Sequence, residues 1–420
     1  MDKLVIQGGQ PLEGEIRISG SKNATLPLLA ATLLAPGKYR FTNVPRLADV
    51  RTMSHLLRIL GAQVDEKEHE LVIDTAYARY NEAPYELVKT MRASFYVLGP
   101  LVARHKEARV SMPGGCAWGP RPVDLHIKGL EALGAITDLE EGFVVARAEK
   151  LRGATFEFPI SSVGATGNVL MASVLASGRT VLKNCAVEPE ISQLAKFLTR
   201  MGADIDGIGT REMVIKGVTE LHPVDAEMIP DRIETGTYLC AVGMAGGRVK
   251  LDHCEPRHVE CPLERAKDMG LHIESDGDSV TVERRSSKLI PIDLTTEPYP
   301  GFPTDLQAPF MAMASLADGT SRITDTVYRD RFTHVAELAR LGAKISMQEN
   351  TAEISGIAEL KGAPVMSTDL RASVCLVLAG LAARGTTEVK RIYHLDRGYE
   401  KIEEKLSKVG ARISREEGEL

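Results

Sequence analysis

The chain has 420 residues, 44% hydrophobic and 26% charged, with a formal net charge of −6. Such a length exceeds what one hydrophobic core serves, so two domains of roughly 200 residues each are expected. The acidic balance excludes nonspecific nucleic-acid binding, which needs a basic field over a whole face, but leaves room for a local cation cluster that holds a small anion.

Six cysteines without a CxxC pair and ten scattered histidines without HExxH argue against a disulfide framework and a zinc site. The longest apolar run, Ala372 to Ala383, is too short for a bilayer, and MDKLVIQGGQPLEGEIRI lacks the apolar centre of a signal peptide. A cytoplasmic protein is expected, with no membrane or nucleic-acid partner, no metal and no cofactor.

In chain order, the strand KLVIQGG with EGEIRI behind it has no partner nearby and is expected to complete the second domain. Six small apolar helices follow: LPLLAATLLAPG from Leu26, FYVLGPLVARHK from Phe95, NVLMASVLASG from Asn168, TYLCAVGMAGG from Thr237, PFMAMASLADG from Pro309 and VCLVLAGLAARG from Val374. Apolar on nearly every side, they are interior helices. Each precedes a strand, an amphipathic helix closed by glycine, and one or two further strands. The closing glycines, Gly61, Gly134, Gly202, Gly270, Gly342 and Gly410, recur at intervals of 73, 68, 68, 72 and 68 residues. A near-constant period marks repeated supersecondary units. Six units divide as three and three, with MIPDRIETG, Met228 to Gly236, as the crossing point. The expected lobes are 22–229 and 1–21 plus 230–420, an α/β architecture with a hinged cleft in which sheets and outer helices surround buried helices.

Between the second apolar helix and its glycine lies PGGCAWGPRPVDLH, Pro113 to His126. Its glycines and prolines exclude a regular helix or central strand, so it reads as a surface loop. Cys116, close to Arg121, has surroundings that raise the thiolate fraction. The other cysteines sit in apolar or strand-like runs and are expected to act as small hydrophobes.

Polar residues stand where the apolar helices begin: Lys22 and Asn23 in GSKNAT, Arg92 in TMRAS, Ser162 in SSVGATGN, Asp231 in PDRIETGT, Asp305 in FPTDLQ, Asp369 and Arg371 in TDLRAS. A helix N-terminus attracts anions. For any one residue a helix cap or surface pair is the simpler explanation. Together, Lys22, Arg92, Arg371 and the Arg397 of HLDRGYE would set four cations around one opening, which suits a phosphorylated, carboxylated substrate. No glycine cluster fits GxxxxGK[ST] or GxGxxG, so neither a nucleoside triphosphatase nor a dinucleotide enzyme is expected.

Taken in order and essentially from end to end, GSKNA, PGGCAWGPRPVDLH, SVGATGN, PDRIETGT, FPTDLQ, TDLRAS and HLDRGYE resemble the motifs of UDP-N-acetylglucosamine enolpyruvyl transferases. The resemblance implies an inside-out α/β barrel in each of two lobes, every lobe built of three βαβαββ units. It implies transfer of the enolpyruvyl group of phosphoenolpyruvate to the sugar 3-hydroxyl with release of phosphate, the reaction that opens peptidoglycan synthesis. By the same resemblance Cys116 is the general acid, the residue that can form a phosphoenolpyruvate adduct and the site of fosfomycin alkylation, and Asp305 is the candidate base. Lys22, Asn23, Arg121 and Arg397 would hold phosphoenolpyruvate. Arg92, Arg121, Pro122, Val123, Asp124, Leu125, Ile160, Ser161, Ser162, Val163, Asp305 and Val327 would bind the nucleotide sugar, while Asp231, Arg331, Asp369 and Arg371 match further cleft residues. Departures are Ile160, where many members carry lysine, Trp118 and Pro120 in the cysteine loop, and YRDRF at Tyr328 to Phe332. The same transfer to shikimate 3-phosphate, or a non-catalytic scaffold, are the alternatives.

Overall fold

A computed structural model describes residues 2–89, 91–112 and 123–417. Cys116, Arg121 and Pro122 therefore lie outside the described residues. The chain forms two compact units, one of Gly20–Ile229 and one of Met1–Ser19 with Pro230–Leu420. It passes between them twice, and each side of the crossing is tied by a backbone hydrogen bond: Asp231 N–H to Ser19 O at 2.9 Å in one unit, Ser21 N–H to Ile229 O at 2.7 Å in the other.

The secondary structure is mixed α/β, with six four-stranded sheets. Every sheet follows one plan, a parallel pair at one edge and antiparallel pairing for the remaining two strands. In the unit that contains both chain termini, the N-terminal strands β1 (Lys3–Gln7) and β2 (Leu12–Arg17) fill places in two different sheets. β1 lies between Thr386–Lys390 and Arg412–Glu416, antiparallel to both. β2 runs parallel to Gly247–Asp252. Alternation along β1, with Leu4 and Ile6 fully buried, sends one face of the strand to the core.

Six apolar helices occupy the cores: α1 (Lys22–Ala31), α2 (Leu98–His105), α3 (Val163–Ser173), α4 (Arg232–Ala245), α5 (Gln307–Ala314) and α6 (Leu370–Ala382). In α6 every residue from Val374 to Ala379 is fully buried, as a helix without a polar face must be. The outer helices are amphipathic. Pro189–Arg200, for example, buries Ile191, Leu194, Ala195 and Leu198 at helical spacing. The closing glycines adopt φ between +93° and +114°, the left-handed conformation that ends a helix and that side chains with a Cβ resist. One difference from the sequence reading concerns the second apolar helix, expected from Phe95, whose first residues Phe95–Val97 belong to the 3-10 turn Arg92–Val97 that precedes α2. Cys185, Cys240, Cys254 and Cys375 are buried and Cys261 is half-buried.

Candidate active site

In the unit containing both termini, the starts of α4, α5 and α6 share one charged cluster. Asp305 sits in the 3-10 turn Thr304–Leu306 that leads into α5. Its Oδ1 accepts from Arg371 Nε at 2.8 Å and from Arg331 Nη2 at 3.2 Å. No hydrogen bond to Oδ2 is formed among the described residues, and a quarter of the side chain stays exposed. Burial alone would raise the carboxyl's pKa, but the charges of Arg371 and then Arg331, helped by Arg232, outweigh it and hold Asp305 well below the usual carboxylate range. The result is an oriented anion that keeps one oxygen open.

Each partner is itself held. Asp369 caps α6, its side chain accepting from Arg371 N at 2.8 Å and Ala372 N at 3.3 Å. This fixes the first turn, so the Arg371 side chain leaves the helix toward Asp305 and donates through Nη1 to the buried Tyr399 hydroxyl at 3.1 Å. Tyr399 also bonds Thr237 of α4 at 2.8 Å. Asp231 caps α4 through Ile233 N at 2.8 Å and Glu234 N at 3.0 Å. Arg371, grouped from sequence with the substrate-facing cations, is thus only 5% exposed and committed to Asp305. Arg397 closes the 3-10 turn Ile392–Arg397, half-buried beside the segment that carries Tyr399, and Val327 is 39% exposed.

The other unit presents a second set. Ser21 caps α1 and accepts from Ala24 N at 3.3 Å, which sets Lys22 and Asn23 in the first helical turn. Lys22 Nζ lies 3.3 Å from Asp49 Oδ2, with 13% of the lysine side chain and 5% of the aspartate side chain exposed. Asp49 stands in the first turn of the amphipathic helix Ala48–Ile59, and nothing in that local pattern marks it as a partner for Lys22.

Around Arg92, the helix Asp124–Ala132 and the start of α3 meet at a buried His126–Asn168 pair. Asn168 Nδ2 lies 3.0 Å from His126 Nδ1 and donates to Phe95 O at 2.8 Å, while its Oδ1 accepts from Gly99 N at 2.5 Å. Phe95 meets His126 edge-on at 5.1 Å. Burial, reinforced by the Arg92 charge, pushes the His126 imidazole down to about 3, so it is neutral at physiological pH. A Cβ on Gly164 would lie 3.2 Å from the His126 ring, which explains a glycine in the first turn of α3. Val123 and Leu125, on either side of Asp124, are buried, and Ser162 caps α3. Ser162 Oγ accepts from Ala165 N at 3.3 Å, and Val163 begins the helix. Ser161 donates to Cys185 O at 3.2 Å, Ile160 is 63% exposed, and Asp124 pairs with Lys128 at 3.4 Å. His126, Asn168, Asp49 and Tyr399 were not singled out from sequence. The signal was faint, a histidine directly after a candidate binding run and polar residues inside otherwise apolar helices.

Similarity to known proteins bears on the fold and the family. The family model described as EPSP synthase (3-phosphoshikimate 1-carboxyvinyltransferase) matches residues 6–406. Among solved structures, the enolpyruvyl transferase NikO from Streptomyces tendae superposes with a TM-score of 0.89 at 26% identity, covering 99% of this chain and 98% of that one. An EPSP synthase from Acinetobacter baumannii shares the fold at a TM-score of 0.76 and 18% identity, covering 99% and 100%. Fold and family model define an enzyme of the carboxyvinyl-transferring class. Closer relatives are UDP-N-acetylglucosamine 1-carboxyvinyltransferases: that of Chlorobium chlorochromatii is 55% identical over 99% of both chains, and that of Nitratidesulfovibrio vulgaris is 52% identical over 99% of this chain and 100% of its own. The chain belongs to the UDP-N-acetylglucosamine 1-carboxyvinyltransferase family. Among the described residues no helix is long and apolar enough to cross a membrane.

Proposed function

We propose that this enzyme transfers the enolpyruvyl group of phosphoenolpyruvate to the 3-hydroxyl of UDP-N-acetylglucosamine and releases phosphate, the first committed step of peptidoglycan synthesis. Cys116 gives its proton to the methylene carbon, C2 bonds to the sugar oxygen, and Asp305 takes the hydroxyl proton. The Cys116 thiolate left by the first step then takes back a methyl proton as the C2–O bond to phosphate breaks, which restores the double bond and releases phosphate. Lys22, Asn23, Arg121 and Arg397 hold the donor's phosphate and carboxylate, because an addition that builds positive charge at C2 and expels phosphate needs fixed countercharges. Arg92, Arg121 to Leu125, Ile160 to Val163 and Val327 receive the nucleotide sugar.

The observation that carries this reading is Asp305, clamped through Oδ1 and open at Oδ2. A carboxylate held so far below its usual range is a weak base, and the chemistry tolerates that. As the hydroxyl oxygen bonds to an electron-poor C2, its proton becomes that of an oxonium and passes readily to a weak acceptor. The test is phosphate release with phosphoenolpyruvate and either acceptor. Turnover with UDP-N-acetylglucosamine and none with shikimate 3-phosphate is expected. Turnover with shikimate 3-phosphate alone, or with neither, would overturn the reading.

A further inference from the structure

Asp325 ends the strand Thr320–Asp325 and is fully buried. A buried carboxylate is costly without compensation, yet Asp325 has no cation within ion-pair distance among the described residues. Four short hydrogen bonds compensate it instead. Oδ1 accepts from Thr296 Oγ1 at 2.8 Å, Val327 N at 3.0 Å and Tyr328 N at 2.7 Å, and Oδ2 accepts from Thr304 Oγ1 at 2.6 Å.

Three of these bonds reach the carboxylate assigned as base, by two routes: the Thr304 hydroxyl and the Val327–Tyr328 backbone. Thr304 immediately precedes Asp305, and its single hydroxyl proton is given to Asp325, so its lone pairs are free to accept from Arg331 Nη1 at 3.3 Å. Arg331 Nη2 then donates to Asp305 Oδ1 at 3.2 Å. The backbone bonds to Val327 and Tyr328 fix the turn from which Arg331 extends, and Arg331 N donates to Tyr328 O at 3.0 Å. We propose that Asp325 is a positioning residue: through the Thr304 hydroxyl and the Val327–Tyr328 turn it sets both Asp305 and the arginine that orients it. This rests on Asp305 acting as the base.

The two ideas separate in one set of variants. Thr304→Val removes the hydroxyl and leaves the backbone bonds of the turn, so kcat should fall about ten- to a hundred-fold, the scale of misplacement by about an ångström. The KM for the nucleotide sugar should rise by much less than kcat falls, because Asp305 is one sugar contact among many whereas its proton transfer depends on its exact placement. Thr304→Ser should restore kcat. In an Asp305→Asn background, adding Thr304→Val should cost no more than about a further twofold, since the group it positions is already gone. Should Thr304→Val not fold, Asp325→Asn carries the same test: it keeps an oxygen for the three Oδ1 donors, reverses the bond to Thr304, and should show the same kcat loss. Wild-type kcat in a folded Thr304→Val or Asp325→Asn enzyme, or a full additional loss in the Asp305→Asn background, would overturn the inference and leave the base standing. Wild-type kcat in Asp305→Asn would overturn both.

Discussion

The described cysteines sit in surroundings that keep them inert. Burial pushes the Cys185 thiol up to about 11 and Cys254 up to about 12, and it raises Cys240, Cys261 and Cys375 as well. A thiol with so little thiolate at neutral pH is a poor nucleophile. Fosfomycin should therefore add once per chain, at Cys116, and intact-protein mass spectrometry should show a single adduct that disappears in Cys116→Ser. Two adducts on the native enzyme, or one that survives that substitution, would contradict the assignment. Cys116→Ser should also lower turnover by roughly 10²–10⁴, the usual contribution of a general acid. Cys116 and the polar residues at the helix starts stood out in the sequence because loop composition and helix starts are local properties. Their partners did not. Lys22 meets Asp49, Asp305 meets Arg371 66 residues away, and Thr304 meets Asp325, pairings set by how helices and strands pack.

At the scale of elements, the closing glycines and apolar helices could be read directly, because a left-handed residue and a helix without a polar face each leave a mark on their own stretch of chain. The 3-10 turns Arg92–Val97 and Thr304–Leu306 leave no such mark, since i to i+3 bonding suits many compositions. The second of these turns is wedged against a central helix. A Cβ on Gly236 of α4 would lie 2.4 Å from Leu306 Cδ1, so this glycine lets α4 approach the residue next to Asp305. Gly236→Ala should destabilise the protein by about 1–3 kcal/mol, as overpacking of a filled core does. Its kcat should fall as well, because the displaced side chain belongs to the turn that carries Asp305, the proposed base. Unchanged thermal stability and kcat together would show that Leu306 moves freely.

At the scale of the whole molecule, each unit buries a neutral imidazole: His126 in one, and in the other His334, pushed down to about 4 by burial with Arg331 reinforcing it and Asp369 opposing. Both folded-state values lie below the unfolded value of about 6.5, so the unfolded chain binds more protons across that window. Their contribution to stability is complete above about pH 6.5 and falls as the pH drops, by roughly 1.4 kcal/mol per unit for each imidazole. Chemical denaturation between pH 7.5 and 5 should show this decline, and the NMR signals of both imidazoles should stay in the neutral position throughout. A His126 signal that titrates near 6.5 would mean that its pocket admits water.

The placement of β1 between Thr386–Lys390 and Arg412–Glu416 has a consequence for biosynthesis. This strand leaves the ribosome before neighbours made almost 400 residues later, which at about 5–20 residues per second means a wait of tens of seconds. The stretch Gly20–Ile229 needs nothing from downstream for its three sheets and can complete itself while translation continues. The unpaired Lys3–Gln7 strand must meanwhile be kept from pairing with strangers.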